Sequence, residues 1–245
     1  MSGRTVFRIT GADRVAFLQN LVTNDVERLS DGLVWTALLT PQGKYLADFF
    51  LVLDGDAILL DVSAELAKGL AARLQMYKLR ADVTIEETEI SVARGLGETP
   101  EGAFADPRHP DLGWRAYDAR SGEDADWEAL RVGLGVPETG IELIPNESFP
   151  LEVGFERLNG VDFKKGCYVG QEVTARMKHK TELRKGLAVV GVDGAAPVGT
   201  EIVNGSGKVA GTLFSQAEGK GLAYLRFDRA DGEMTAGEAL VRRLD

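Results

Sequence analysis

The stretch Lys165-Gly166-Cys167-Tyr168-Val169-Gly170-Gln171-Glu172 contains the only cysteine of the chain, placed between two glycines and after two lysines. Gly166 and Gly170 permit backbone conformations that other residues resist, so the loop can approach a ligand closely. Residues 171–178 have helix-forming composition, which predicts that Cys167 lies near a helix N-terminus, where a thiolate is favoured. Local chemistry leaves two interpretations of Cys167 open, a reactive thiol and a small buried apolar residue.

The composition is that of an acidic globular protein. The chain has 245 residues, of which 38 are acidic and 28 basic, for a formal net charge of −10. This length is sufficient to bury a substantial core. Because tight binding to nucleic acid relies on lysine and arginine to neutralise phosphates, the charge argues against direct nucleic-acid binding.

The cysteine and histidine content restricts the compartment and the metal chemistry. One cysteine cannot form an intramolecular disulfide, and no N-terminal stretch has the pattern of a secretory signal or of a membrane span. We therefore expect a cytoplasmic protein without a membrane anchor. His109 and His179 lie in no cluster with ligand spacing, so we expect no protein-only metal site. No heptad or extended apolar stripe requires a partner, which makes a monomer the expectation.

The periodicity of apolar residues predicts an α+β body followed by a small barrel. In the body, strands are expected at 5–10, 34–39, 45–53, 57–62, 81–86, 90–94 and 113–117, and helices after Asp13, from Ser63 to about Leu74, and at 127–134. From Arg184 onward, five or six short alternating runs separated by glycines predict an antiparallel barrel. We expect two domains, at 1–183 and 184–245.

The pattern K-G-C-Y-x-G-Q-E at 165–172 resembles the signature of YgfZ-type folate-binding proteins, relatives of the glycine-cleavage T-protein, an aminomethyltransferase. F-P-L-E-V-G at 149–154 and T-P-Q-G-K at 40–44 extend this resemblance, which spans nearly the whole chain. It implies a T-protein-like (GcvT-like) fold, in which interleaved α+β subdomains and a C-terminal antiparallel β-barrel surround a central folate cleft.

The resemblance also implies roles for particular residues, with tetrahydrofolate or a derivative as the cofactor. Asp48 is expected to face the folate, Glu152 to pair with the pterin edge, and Gln171 and Arg176 to contribute to binding, with Arg176 on the glutamate tail. The residues alone leave simpler alternatives open. Without the resemblance, Asp48 is interpreted as a solvent-facing acid. Glu152 is also compatible with an exposed strand-edge acid, and Arg176 with an ordinary arginine on a helix surface.

Lys165 and Cys167 distinguish the chain from T-protein and, through the resemblance, imply a catalytic thiol. The implied function is a tetrahydrofolate-binding accessory role in iron–sulfur cluster assembly or repair, with client or assembly proteins as partners and indirect support for tRNA-thiolating enzymes. We hypothesise that Cys167, activated by Lys165, forms a transient bond near the folate. One alternative is a folate-dependent aminomethyltransferase or demethylase, although T-protein carries an acid where this chain has Ala47. Another is a noncatalytic folate-binding module.

Overall fold

The computed structural model describes residues 3–180 and 183–244. The chain forms two compact units. The first unit comprises Met1–Ala125 and Glu156–Glu172, and the second comprises Asp126–Phe155 and Val173–Asp245. The expected division at 183/184 separates the chain differently, since the second unit includes residues 126–155 as well as the C-terminal region. The expected division of the chain into domains at 183/184 therefore stays a prediction.

The first unit is built on a five-stranded antiparallel sheet with the order β2-β3-β4-β1-β5. Its strands are β1 Arg4–Thr10, β2 Val34–Leu39, β3 Tyr45–Asp54, β4 Ala57–Ser63 and β5 Thr84–Glu87. All six residues of β2 and all seven of β4 are buried, which explains why these runs are almost continuously apolar rather than alternating.

Two α-helices accompany this sheet, α1 at Arg14–Gln19 and α2 at Ala64–Lys78. In α2, Ala67, Leu70 and Leu74 recur at helical spacing and are buried in the core of the unit. The helix continues one turn beyond the expected end at Leu74, to Lys78. A 3-10 helix at Val26–Asp31 follows α1, and Asp25 caps its N-terminus by accepting from the Glu27 amide.

A three-stranded sheet with the order β6-β8-β7 completes the first unit. Its strands are β6 Ala93–Gly95, β7 Phe104–Ala105 and β8 Trp114–Ala116, and a 3-10 helix spans Pro110–Leu112. The strands expected at 81–86 and 90–94 are therefore shorter and later than the sequence indicated. Residues 81–83 lie outside β5 because the amide of Val83 donates to the Ala81 carbonyl within a turn.

The second unit contains helix α3 at Trp127–Gly133 and a closed antiparallel barrel with the order β10-β11-β12-β9-β14-β13. The barrel strands are β9 Lys185–Asp193, β10 Thr200–Asn204, β11 Val209–Ala217, β12 Lys220–Arg226, β13 Glu233–Ala236 and β14 Ala239–Arg243. The predicted barrel is confirmed, although β13, with four residues, is too short for its alternation to be recognised in the sequence.

Helix α4, Gln171–Lys180, begins in the first unit and ends in the second, directly after the glycine-flanked cysteine. This is the helix that the composition of residues 171–178 predicted. Among the residues that the structure describes, no helix has the length and apolar content to cross a membrane.

Candidate functional site

Lys165 anchors the cysteine loop through its ammonium group. Nζ donates to the carbonyl oxygens of Gln19, Val22 and Asn24 over 2.8, 2.6 and 2.8 Å. An ammonium has three N–H donors, so all of them are used on the main chain. Lys165 therefore has no donor left for the thiol of Cys167, and any activation of that thiol has to act through charge or through the position of the loop.

The burial of Lys165 changes its acid–base behaviour. The side chain is 8% exposed, and desolvation lowers the pKa of the amine to about 8, while Asp25 and Asp162 partly oppose this shift. Nζ also lies 5.3 Å from the centre of the Tyr168 ring, which is itself buried. Lys165 is thus a structural cation held between carbonyl oxygens and an aromatic face.

The segment around Thr23 holds the start of the same loop. The amide of Asp162 donates to the Thr23 carbonyl at 3.0 Å, and the Thr23 hydroxyl donates to the Gly160 carbonyl at 2.7 Å. The Asp162 carboxylate in turn accepts from the amides of Lys164 and Lys165. These bonds join residues 23 and 160–165, which are far apart in sequence, and fix the start of the cysteine loop.

Gly170 fixes the other end of the loop. Its φ is +85°, and a Cβ placed on it would lie 2.6 Å from the Thr40 carbonyl oxygen and 3.0 Å from Cα of Gly43. Only glycine tolerates this combination of backbone angle and close approach. Gly166 differs, because a Cβ there would meet nothing within 4 Å. Of the two glycines that the sequence singled out, Gly170 alone is required by the observed packing.

Cys167 lies between these two anchors with its side chain exposed. The alternative of a small buried residue is therefore wrong. Helix α4 begins at Gln171, four residues later, as the sequence predicted. No residue in the described part of the chain hydrogen-bonds to the thiol, so the loop presents it to solvent. Its catalytic role, like that of Lys165, stays a prediction.

Asp48 is buried in β3, with its carboxylate held by two aromatic side chains. Tyr45 donates from its hydroxyl to Oδ1 at 2.7 Å, and Trp35 donates from Nε1 to Oδ2 at 2.9 Å. Only 7% of Asp48 is exposed, so the alternative of a solvent-facing acid is wrong.

A buried ion cluster lies around Phe50, and no sequence pattern predicted it. Arg108 forms a bidentate pair with Asp106 at 2.9 and 2.8 Å, and Arg115 pairs with both Asp106 and Asp61. The guanidinium carbon of Arg115 lies 3.9 Å from the centre of the Phe50 ring. The members are close in space only because the two sheets of the first unit bring β4, β8 and the segment after β7 together.

The charges of this cluster set its protonation. Burial by itself would raise the pKa of Asp106, but Arg108 and Arg115 hold it below its ordinary value. Burial would likewise lower the pKa of the Arg108 guanidinium, and Asp106 and, more weakly, Asp48 hold it above its ordinary value. The charge of Asp48 therefore acts on this cluster. Arg108 is a cation near Asp48, the side chain that is predicted to face the folate.

Glu152 lies in a turn of the second unit, where the barrel holds one of its two oxygens. Oε2 accepts a short hydrogen bond from the Tyr224 hydroxyl and lies 3.7 Å from Nζ of Lys185. Within the described residues, no group donates to Oε1. The residue is 9% exposed, so the alternative of an exposed strand-edge acid is wrong, and one carboxylate oxygen stays available to a ligand.

Tyr224 is suited to orient Glu152. Burial, followed by the hydrogen bond to Glu152, raises the pKa of its phenol well above the ordinary value, so the phenol keeps its proton and donates it. Lys185 lies over the same ring, with Nζ 5.3 Å from its centre. Both residues were missed by the sequence interpretation, because their relation to Glu152 depends on the pairing of β9 with β12.

Gln171 and Arg176 both lie on α4, in different units. Gln171 is half-buried at the first position of the helix, and its backbone N–H donates to the Tyr168 carbonyl at 3.2 Å. Arg176 is exposed. The structure thus groups Lys165, Cys167, Gln171 and Asp48 in the first unit, and Glu152 and Arg176 in the second. The roles of all six residues in catalysis or folate binding stay predictions.

Comparison with known proteins identifies relatives of the whole chain. Residues 184–243 match the family model described as the C-terminal beta-barrel domain of CAF17. The mitochondrial iron–sulfur cluster assembly factor IBA57 of Homo sapiens is 30% identical, with 96% of this chain and 78% of the human protein covered. The Mycosarcoma maydis homolog is 32% identical and covers 74% of this chain, which spans about half of that relative, 54% of its length.

Among solved structures, the chain is similar to the crystal structure of glycine cleavage system aminomethyltransferase T from Bartonella henselae. The TM-score is 0.74 at 13% identity, with 98% of this chain and 82% of the other covered. At that identity the likeness concerns the fold alone, and it confirms the expected GcvT-like α+β architecture.

The expectation of a cytoplasmic location is wrong. The relatives from human, mouse and Mycosarcoma maydis are all named as mitochondrial proteins, which points to mitochondria. The expectation rested on a single cysteine and the lack of a secretory pattern, and neither feature separates one reducing compartment from another.

Proposed function

The chain belongs to the family of the iron–sulfur cluster assembly factor IBA57, and on that premise we propose that it supports the assembly or repair of iron–sulfur clusters in other proteins, with Cys167 as its working thiol. The finer form of the proposal follows the YgfZ-type resemblance. In that form the protein binds tetrahydrofolate or a derivative, and its clients include enzymes that thiolate tRNA.

The exposure of Cys167 on a fixed loop is the observation that carries this proposal. Thiolate is the ordinary protein ligand of iron in iron–sulfur clusters, and a thiol has to be accessible to meet a client. Lys165 and Gly170 hold the backbone on both sides of the cysteine. A thiol presented in this way can lose its proton and act as a transient thiolate ligand to an iron atom of a cluster, which is here the cargo, in exchange for a ligand that leaves the iron.

Two carboxylates support the folate part of the proposal. A pterin ring offers adjacent N–H donors, and the open Oε1 of Glu152 is an acceptor in a mostly buried setting where such a bond is strong. Asp48 is a buried carboxylate whose position is fixed by hydrogen bonds from Trp35 and Tyr45. Bound tetrahydrofolate would supply a one-carbon carrier, and these residues would hold and orient it. Arg176 and Gln171 complete the proposed ligand set.

An aminomethyltransferase-type activity is the second candidate, favoured by the T-protein-like fold and the buried Asp48. Ala47, where T-protein has an acid, is also buried, at 3% exposure, so the position offers no proton-transfer group. Formation of methylenetetrahydrofolate from an amine donor is the assay that separates this candidate from the accessory role.

Complementation of a deletion strain tests the thiol. We expect Cys167→Ala to restore less than a tenth of the activity of an iron–sulfur enzyme that the wild-type gene restores. Lys164→Ala, an exposed change in the same loop, serves as the matched control and is expected to complement. Full restoration by Cys167→Ala at equal protein level would contradict the proposed role of the thiol.

Calorimetric titration with tetrahydrofolate tests the cofactor separately. We expect saturable binding by the wild type and at least tenfold weaker binding by Glu152→Gln, because an amide offers N–H donors where the pterin needs an acceptor. Asp48→Asn is expected to act in the same direction. If the folded wild-type protein does not bind, the folate part is wrong while the thiol part stands on its own test.

A further inference from the structure

Helix α2 has a second apolar row on the side opposite its core face. Ala67, Leu70 and Leu74 are buried in the core. Gly69, Ala72 and Met76 are exposed along the helix, and Leu79 follows directly after its end. These four positions are here called the outer row. Gly69, Ala72 and Met76 are spaced by three and four residues, which is the spacing of a helix–helix seam, and Leu79 lies at the helix end beside them. The sequence analysis predicted this helix but not the row of exposed residues on its outer side.

The two large side chains of the outer row are unusually open to solvent. Met76 is 75% exposed and Leu79 is 88% exposed, the highest values among the large apolar side chains of the described residues. Leu79 also has a φ of +46°, a backbone conformation that a leucine adopts at a cost. Leu79, in this strained backbone conformation, and Met76 bury little apolar surface against their own chain. Neighbouring exposed apolar side chains of this kind are typical of an interaction surface.

Gly69 is a second, separate indication that α2 has an interaction surface. Glycine inside a helix costs about 0.5–1 kcal/mol relative to alanine. A Cβ at Gly69 would meet nothing within 4 Å, and its φ is not positive, so the packing and backbone of the chain do not require glycine there. Small residues at Gly69 and Ala72 would allow another backbone to approach the helix closely.

The charges around the row identify the kind of partner. The segment 64–80 contains four basic residues and a single acidic one, Glu65 in the first turn, in a chain whose net charge is −10. Lys68 and Arg73 flank the row and Arg80 follows it, all three exposed. A second copy of the chain would bring these cations against one another, so the charge disfavours self-pairing and favours an acidic partner.

We propose that the outer row of α2 is a docking site for an acidic amphipathic helix of another protein. Apolar side chains of that helix pack along Gly69, Ala72, Met76 and Leu79, and its flanking carboxylates face Lys68, Arg73 and Arg80. The site lies on residues that the proposed thiol and folate functions do not use, so it stands or falls independently of them.

Fluorescence anisotropy with two synthetic peptides tests the proposal on the full-length protein. Both peptides are helical over about three heptads with leucine at the seam positions, and they differ in carrying glutamate or lysine on the flanks. We expect the glutamate peptide to bind at least tenfold more tightly than the lysine peptide. We expect binding to weaken at least tenfold in both Met76→Glu and Leu79→Glu, and to persist in Val198→Glu, which changes an exposed valine of the barrel.

Gly69→Gln separates docking from folding, because it adds bulk to the row while relieving a helix of its glycine. We expect a thermal midpoint at or above the wild-type value together with at least tenfold weaker peptide binding. No binding of the glutamate peptide, equal binding of both peptides, or unchanged binding by Gly69→Gln would overturn the proposal. The proposal would also be overturned if the glutamate peptide does not bind and the wild-type protein instead associates with phosphatidylglycerol vesicles, or dimerises in sedimentation, in a way that Leu79→Glu abolishes.

Discussion

The ammonium of Lys165 lies 2.6 Å from the carbonyl oxygen of Val22, a residue more than 140 positions earlier in the chain. Together with the bonds to Gln19 and Asn24, this contact ties the cysteine loop to the segment after α1. The lysine of the K-G-C-Y-x-G-Q-E motif is therefore the residue that positions the loop, while the cysteine is the residue that the loop presents.

Lys165→Met removes three donors and leaves the carbonyl groups they served without partners. Because an orphaned buried acceptor costs about 1–3 kcal/mol, we expect the free energy of unfolding to fall by about 3 kcal/mol. Urea unfolding measures this. Lys164→Met is the matched control, since Lys164 is exposed, and is expected to change stability by less than about 0.5 kcal/mol. Equal stability of the two variants would show that the carbonyl contacts contribute little.

The acid–base behaviour of Lys165 follows from its burial. Desolvation lowers the pKa of the amine from 10.5 to about 8. Because the folded pKa lies below the unfolded one, the unfolded chain binds more protons across this interval, and the contribution of Lys165 to stability rises with pH from 8 to 10.5. NMR of ¹³C-labelled lysine is expected to show one signal with a midpoint near 8 that disappears in Lys165→Met. A wild-type spectrum in which every lysine titrates above about 10 would contradict the burial argument.

Gly170→Ala is expected to disturb the loop from its other end. The new Cβ would lie 2.6 Å from the Thr40 carbonyl oxygen at a φ of +85°, so we expect a loss of about 2 kcal/mol or more and a lower thermal midpoint. Gly166→Ala supplies the comparison within the same motif, because space is open there and its φ is not positive. Gly166→Ala is expected to keep the wild-type thermal midpoint. A similar loss of stability in both variants would refute the conclusion that the packing requires glycine only at position 170.

Tyr224→Phe removes the hydroxyl that donates to Glu152 without changing the ring. Because the hydrogen bond fixes one oxygen of the carboxylate, we expect about tenfold weaker tetrahydrofolate binding by calorimetry, equivalent to about 1.4 kcal/mol. Tyr77→Phe, a half-buried tyrosine of the first unit with no hydroxyl contact among the described residues, is the control and is expected to bind normally. Unchanged affinity in Tyr224→Phe would remove the proposed link between this hydroxyl and folate.

Local patterns predicted most of the elements. The strands β2, β3 and β4 are visible in sequence as nearly continuous apolar runs, because almost all of their residues are buried. The stripe of Ala67, Leu70 and Leu74 is visible because burial of one helix face imposes a period of about 3.6 residues. Short elements escaped for the converse reason. The four-residue strand at Glu233–Ala236 is too brief to establish a period, and its pairing with β10 and β14 defines it.

The sequence predicted which residues form the candidate site, but not how exposed each of them is or which groups surround it. Asp48, Glu152 and Cys167 were each compatible with two opposite degrees of exposure, because an isolated acid or thiol carries no periodic signal. Their neighbours settled the matter, with Trp35 and Tyr45 around Asp48 and Tyr224 beside Glu152. Trp35 and Tyr224 are too far from these acids in sequence to be recognised as their partners, and nothing in the sequence marks the hydroxyl of the nearby Tyr45 as a donor to Asp48.

The sequence by itself determined the family resemblance, the α+β body, the barrel and the glycine-flanked cysteine, because each depends on residues close together in the chain. Only the tertiary structure decided that Lys165 is a buried anchor, that Cys167 is exposed, that Arg108 and Arg115 join Asp61 and Asp106 around Phe50, and that α2 leaves a second apolar row in solvent. Burial and charge pairing are properties of the space around a side chain, and long-range contacts between distant segments create that space.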